Sequence, residues 1–254
     1  MKLATPGAFP ASHGIDSRAF LVFLVLIWIA VLSGFGIDSA AHIARHGLDY
    51  PLIVHLHALV FFSWLVLFTV QLAFIRSDRV DLHKRLGVAG AALAAVMIPL
   101  GIATALTVAA RKFANHGETP EFLAVELIDI LAFSVFTGGG LLLRGTPAAH
   151  KRSMLLGLMY ISTPGFARFL NIVLAALLSL AVPLGHGLLR SFVGIFLGPD
   201  LLMLGLGIYD LAKHKRLQPV YVAGMLFIAL CEATALTLLN NPAWKALSLK
   251  LIGH

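Results

Sequence analysis

Charge is scarce in this sequence. Charged side chains make up 12% of the chain, where a soluble domain carries about a quarter. So little charge cannot coat a water-soluble fold, and most of the chain is expected to meet lipid. Cysteine is scarcer still: Cys231 stands alone, which excludes an intrachain disulfide and any metal cage built of several thiolates. Nucleophile-elbow and dinucleotide fingerprints are missing. The glycine run Thr137–Gly140 lacks the following Lys-Ser or Lys-Thr of a phosphate loop and lies inside an apolar stretch. No motif therefore declares an enzyme. The formal net charge of +7 points away from nucleic acid in so apolar a chain, because basic loops on anionic lipid account for it.

Hydrophobic residues are abundant, at 59% of the chain. They fall in seven runs, Phe20–Gly36, Leu52–Ile75, Leu86–Ala110, Phe122–Leu143, Met154–Val182, Leu188–Tyr209 and Val220–Leu239. A membrane span needs about 20 apolar residues, and a lone segment in lipid must satisfy its own backbone as a helix. The expectation is an all-α bundle of seven transmembrane helices over residues 20–240. A polar N-terminal tail (1–19) and a C-terminal tail (241–254) flank it. The first run has no small-residue cleavage site behind it and is read as a retained span.

Lys and Arg set the orientation. One side receives Lys2, Arg18, Arg76, Arg79, Lys84, Arg85, Arg144, Lys151, Arg152, Lys213, Lys215 and Arg216; the other receives Arg45, Arg111, Lys112, Arg190, Lys245 and Lys250. The richer side is cytoplasmic by the positive-inside rule. The N-terminus is then inside and the C-terminus outside, in the periplasm. "DLHKRLG" (Asp81–Gly87) and "AAHKRSMLLG" (Ala148–Gly157) place His-Lys-Arg at the entrance of the third and fifth spans. Spans two–three and four–five are therefore expected to be two related hairpins forming a four-helix core.

The pattern His55-x-His57, Trp64, Gln71, then "DLHKRLG" and a later "PAAHKR" resembles a group of uncharacterised bacterial multi-pass membrane proteins over roughly residues 50–87 and 147–168. That resemblance implies a bacterial inner-membrane location and no particular activity. A looser, fold-level similarity runs to two-haem transmembrane cytochromes b.

Residues two apart on a helix point about 200° apart, so His55 and His57 cannot share a pocket. His57, Trp64 and Gln71 form one stripe, expected to face the bundle. His55 is expected in the headgroup layer or against the outer loop bearing His42 and His46. Counting about 1.5 Å per residue puts His57, Glu126, Asp129 and Arg168 all roughly 6–10 Å below the outer edge of the bilayer core. Glu232 and Asp200 fall near mid-depth. Charges at the bilayer centre cost about 2.5–3.5 kcal/mol each, so these groups should pair inside the bundle, with Asp129–Arg168 the preferred pair. The expected pocket comprises His57, Trp64, Glu126, Asp129, Arg168, Asn171 and Glu232. Pro99, Pro164 and Pro199 are expected to interrupt spans three, five and six beside it.

Three readings follow. In the first, His57, Glu126 and Asp129 hold a single metal ion in a redox or metal protein. Haem is disfavoured, since no second mid-span histidine matches His57. In the second, the cluster belongs to a small-solute or proton-coupled transporter or a sensor. In the third, it is an ion-pair lock with no other role. The lipid bilayer is the expected partner, a small ligand is compatible with the pocket, and the oligomeric state leaves no mark in the sequence.

Overall fold

A computed structural model describes residues 13–178 and 188–254, with side chains described for 16–173 and 191–254. Much of the expected N-terminal tail and the end of the expected fifth span lie outside the described residues. Among the described residues the chain is helical, with no strand: α1 (His13–His46), α2 (Leu52–Arg76), α3 (Val80–His116), α4 (Leu123–Leu142), α5 (Pro147–Ile161), α6 (Thr163–Leu178), α7 (Leu188–Ile195), α8 (Leu197–His214), α9 (Pro219–Leu239) and α10 (Pro242–Leu251). Five stretches are long and apolar enough to cross a membrane: Asp16–His46, Leu52–Arg76, Val80–His116, Pro120–Gly145 and Pro219–Leu239. Large apolar side chains stand on the outside of the bundle, Leu142, Val88, Leu52 and Leu226 each more than two-thirds exposed. Such a surface suits a lipid bilayer, where it has no cost.

The expected fifth and sixth spans are each broken in two. Pro164 has no N–H to offer the carbonyl of Tyr160 four residues back, and α5 ends at Ile161. Pro199 likewise falls at the start of α8, after a break at Phe196. Both prolines sit in a first turn, where the missing donor costs nothing. Pro99 departs from the expectation: α3 runs through it unbroken, losing only the hydrogen bond that Ala95 would have accepted.

The expected tails are partly helix. Helix α1 begins at His13, ahead of the apolar run, and continues past Gly36 to His46. The C-terminal stretch forms α10 because Asn241 caps it, its side chain accepting from Ala243 N at 2.8 Å and Trp244 N at 3.3 Å. Trp244 Nε1 then donates to the Glu121 carbonyl at 2.9 Å.

The two HKR hairpins pack against one another: α2 on α3, α4 on α5, and α3 on α4. Trp64 packs edge-on against Phe133, with ring centres 5.4 Å apart. Phe61 and Ile130 both close on Gly101 of α3. At the HKR end the His83 and His150 rings lie 6.2 Å apart. Each is held through Nδ1 by the preceding helix of its own hairpin, His150 by the Gly140 carbonyl at 2.7 Å and His83 by the Gln71 amide at 2.6 Å.

Opposite ends of the bundle carry different polar groups. At one end Asp16 of α1 is buried among Lys151 of α5 and Tyr209 and His214 of α8. Beside it, Arg152 makes a two-pronged pair with Asp210, both fully buried. At the other end Asp49, in the α1–α2 loop, pairs with Arg111 at 3.0 Å and His42 at 2.6 Å. The His42 hydrogen bond, helped by Arg111, holds the Asp49 carboxyl below the usual carboxylate range. His55 is exposed and meets Tyr50, which stacks on His42. The Phe113 and His254 rings are 4.7 Å apart at this same end. The start of α1 and the C-terminal helix are therefore at opposite ends.

Candidate functional site

A second set of interior polar groups gathers where the two broken helices meet α4 and α9. Tyr160 closes α5 and is almost fully buried. Its hydroxyl lies 2.8 Å from Asp200 Oδ1 in the first turn of α8 and 3.1 Å from Glu232 Oε1 of α9, with Met203 Sδ at 3.7 Å. The Tyr160 hydroxyl has one proton and can give it to only one of these carboxyl groups. The other is a hydrogen-bond partner of the hydroxyl oxygen only if it carries a proton of its own, because an ionised carboxylate only accepts.

Asp129 of α4 is only 4% exposed and lies within the field of Glu232. Thr163, the first residue of α6, stands beside it. Thr163 is committed elsewhere, however. Its hydroxyl donates to the Tyr160 carbonyl at 2.6 Å, the group that Pro164 leaves without a main-chain donor. A hydroxyl has one proton to give. Asp129 Oδ1 is left buried with no partner. Among the described residues no Lys, Arg or His side chain pairs with Asp129, Asp200 or Glu232.

The expected pocket is thus divided. Asp129 and Glu232 belong to the cluster, joined by Tyr160 and Asp200. Glu126 is half-buried on the same helix, within the field of Lys112 and Arg168. His57 and Trp64 do point inward, as their stripe implied, but they face aromatic rings. His57 stacks on Phe61 at 3.9 Å with its Nδ1 buried and unpartnered, and Trp64 Nε1 is likewise without a partner.

Arg168 is placed differently from the expectation. It pairs with Asp38 of α1 at 2.8 Å and lies over the Phe35 ring, and it makes no ion pair with Asp129. The cause is the helical extension of α1 past Gly36, which carries Asp38 to it. Asn171 is exposed and reaches Gly194 at 3.4 Å, linking α6 to α7 outside the cluster. The expected metal set of His57, Glu126 and Asp129 does not assemble: among the described residues no three His, Cys, Asp or Glu side chains are arranged to hold a metal ion.

Because the Arg168–Asp38 pair is 40% and 52% exposed, it belongs with pairs worth about 0–1 kcal/mol. Arg168→Ala should lower thermal stability only slightly, and Arg168→Ala with Asp38→Ala should add nothing further. A loss of several kcal/mol in unfolding measurements would contradict this placement.

Tyr160 carried a readable signal, since it sits four residues before Pro164 and so owns the freed carbonyl. The burial of Asp16 and Asp210 had none, because both stand among charged residues at the ends of apolar runs. No protein-family model matches the chain, and no curated protein and no solved structure matches it.

Proposed function

We propose that this is a seven-crossing membrane protein, N-terminus cytoplasmic, that exchanges protons with a small solute at the Asp129–Tyr160–Asp200–Glu232 cluster. The five long helices and the two broken ones supply the seven crossings. The placement of the start of α1 and of α10 at opposite ends of the bundle favours an odd number. The likeness to bacterial multi-pass proteins supports an inner-membrane location.

One observation carries the reading: the Asp200 and Glu232 carboxyl groups both close on the single Tyr160 hydroxyl, where two broken helices meet, and among the described residues no cation pairs with either. Helices broken at membrane depth are tolerated where they line protein or a water-filled cavity, and transporters place solute sites there. The breaks at Ser162 and Phe196 also supply joints about which α6 and α7 can swing against α5 and α8.

The energetics favour protons as the neutralising charge. Asp200 lies in the first turn of α8 and Asp129 beside the start of α6. A helix N-terminus offers a carboxylate about 0.3–1 kcal/mol, and up to ~2 kcal/mol in a favourable site. An unpaired charge at mid-membrane costs about 2.5–3.5 kcal/mol. The helix ends alone do not offset that cost, so the cluster loses a proton only when water or another cation takes its place.

Infrared spectroscopy of the reconstituted protein tests this. A carboxylic-acid carbonyl band is expected at neutral pH, shifted in heavy water. Asp200→Asn and Glu232→Gln should each diminish it. Absence of the band, or its persistence unchanged in both variants, would sink the proposal.

A further inference from the structure

We propose that the solute exchanged at this cluster is a small monovalent cation, taken up by Asp129 as its carboxyl gives up a proton. The inference rests on the proton-exchange reading above and names its substrate class.

The sign of the charge comes first. The ionisable side chains acting on Asp129 are Glu126 and Glu232, and those acting on Glu232 are Asp200 and Tyr160. All are acids, and Cys231 beside them is another. Among the described residues the nearest cations act on Glu126 alone, and both are engaged: Arg168 by Asp38 and Lys112 by Glu118 at 3.9 Å. An anionic solute would meet several carboxyl groups and, among the described residues, no free cation.

The second observation is independent of charge. Asp129 Oδ1 is buried without a partner, in a residue 4% exposed. The Thr163 hydroxyl, which stands beside this carboxyl group, donates its proton to the Tyr160 carbonyl. A bare buried acceptor is costly unless something donates to it or coordinates it. Only a proton, an N–H donor or a metal cation satisfies an oxygen of this kind.

Valence follows from the ligand count. No three His, Cys, Asp or Glu side chains among the described residues converge on a point, so a divalent ion would lack its usual charged cage. A monovalent cation needs one carboxylate, together with hydroxyl and carbonyl oxygens of the kind that helix breaks expose. The exchange balances: one cation arrives, the Asp129 O–H bond breaks, and one proton leaves for water. The net charge of the site is unchanged, which avoids the mid-membrane cost of an uncompensated carboxylate. Alkali ions and small organic ammonium ions share this chemistry.

The experiment perfuses a reconstituted film at constant pH and ionic strength, with bulky N-methylglucamine as the reference cation. NaCl, KCl or ethylammonium chloride is then exchanged in while the infrared difference spectrum is recorded. At least one of these cations should lower the carboxylic-acid band and raise a carboxylate band, with saturation. A response to Na⁺ or K⁺ assigns an alkali ion, and a response to ethylammonium alone assigns an organic ammonium ion. Asp129→Asn should abolish the response while keeping the Asp200–Glu232 band, which also shows that the variant folds. A carboxylic-acid band that no cation alters would overturn this inference and leave the proton-exchange reading standing. So would an Asp129→Asn protein that responds as the unaltered chain does. Absence of the band before any cation is added would overturn both.

Discussion

Arg152→Leu should destabilise the protein by about 3–5 kcal/mol, because it removes one partner of a fully buried charge pair. Arg152 Nε donates to Asp210 Oδ2 at 2.8 Å, a second nitrogen donates to Asp210 Oδ1, and Nη1 donates to the Ala148 carbonyl at 3.0 Å. Both residues are 0% exposed. Without the guanidinium, Asp210 is a carboxylate sealed between α5 and α8 with its desolvation uncompensated. The double change Arg152→Leu with Asp210→Leu should recover most of the loss, because the carboxylate that Arg152 holds most closely goes with it. Asp16 loses its longer Arg152 contact of 3.9 Å but keeps Lys151, Tyr209 and His214. Thermal unfolding in detergent of the two single variants and the double would decide it. A double variant as unstable as the sum of the singles would show that the pair is not the unit described.

The second large effect is steric. A methyl group added at Gly34 of α1 would lie 2.3 Å from the Gly165 carbonyl oxygen and 3.1 Å from the Phe169 nitrogen. Both obstacles are main chain, so no side chain can turn away to make room. Gly34→Ala must push α6 from α1, and overpacking of that sort costs about 1–3 kcal/mol or more. Gly36, two residues on, has nothing within 4 Å of the same added atom. Gly36→Ala should be neutral or stabilising by up to ~1 kcal/mol through helix propensity. The contrast between the two in a melting experiment is the test, and similar midpoints would remove the close approach from the account. Because α6 begins at Thr163, Gly34→Ala should also disturb the Asp129 carboxyl environment, which Gly36→Ala should leave alone.

Which parts of this architecture could be read in advance depends on what a one-dimensional pattern records. Apolar runs mark helices well, because lipid leaves the backbone no alternative. They mark the ends of helices poorly. "IDSAAHIARH" is polar enough to end a span and still helical, so α1 outlasted its apolar run and Asp38 reached Arg168. Asp129 and Glu232 stand out as ionisable residues inside apolar runs, and both are buried in the bundle. Azimuth was legible within one helix, so His57 and Trp64 point inward. Azimuth between helices was not, since the rotation of α6 about its axis depends on Gly34 and Gly165 meeting across α1. The two HKR entrances lie close together, His83 near the start of α3 and His150 near the start of α5, with ring centres 6.2 Å apart.

The burial of Asp16 has a consequence for how the chain is made. Its carboxylate leaves the ribosome early, while Lys151, Tyr209 and His214 follow 135, 193 and 198 residues later. Through most of synthesis Asp16 must wait at the start of α1 without these partners. Arg152 waits in turn for Asp210, 58 residues downstream. This end of the bundle therefore closes only after the segment carrying Asp210 and His214 has been made and packed. A nascent chain stalled before that point has its early helices formed but this end unsealed, with the start of α1 left open as a sign of incomplete assembly.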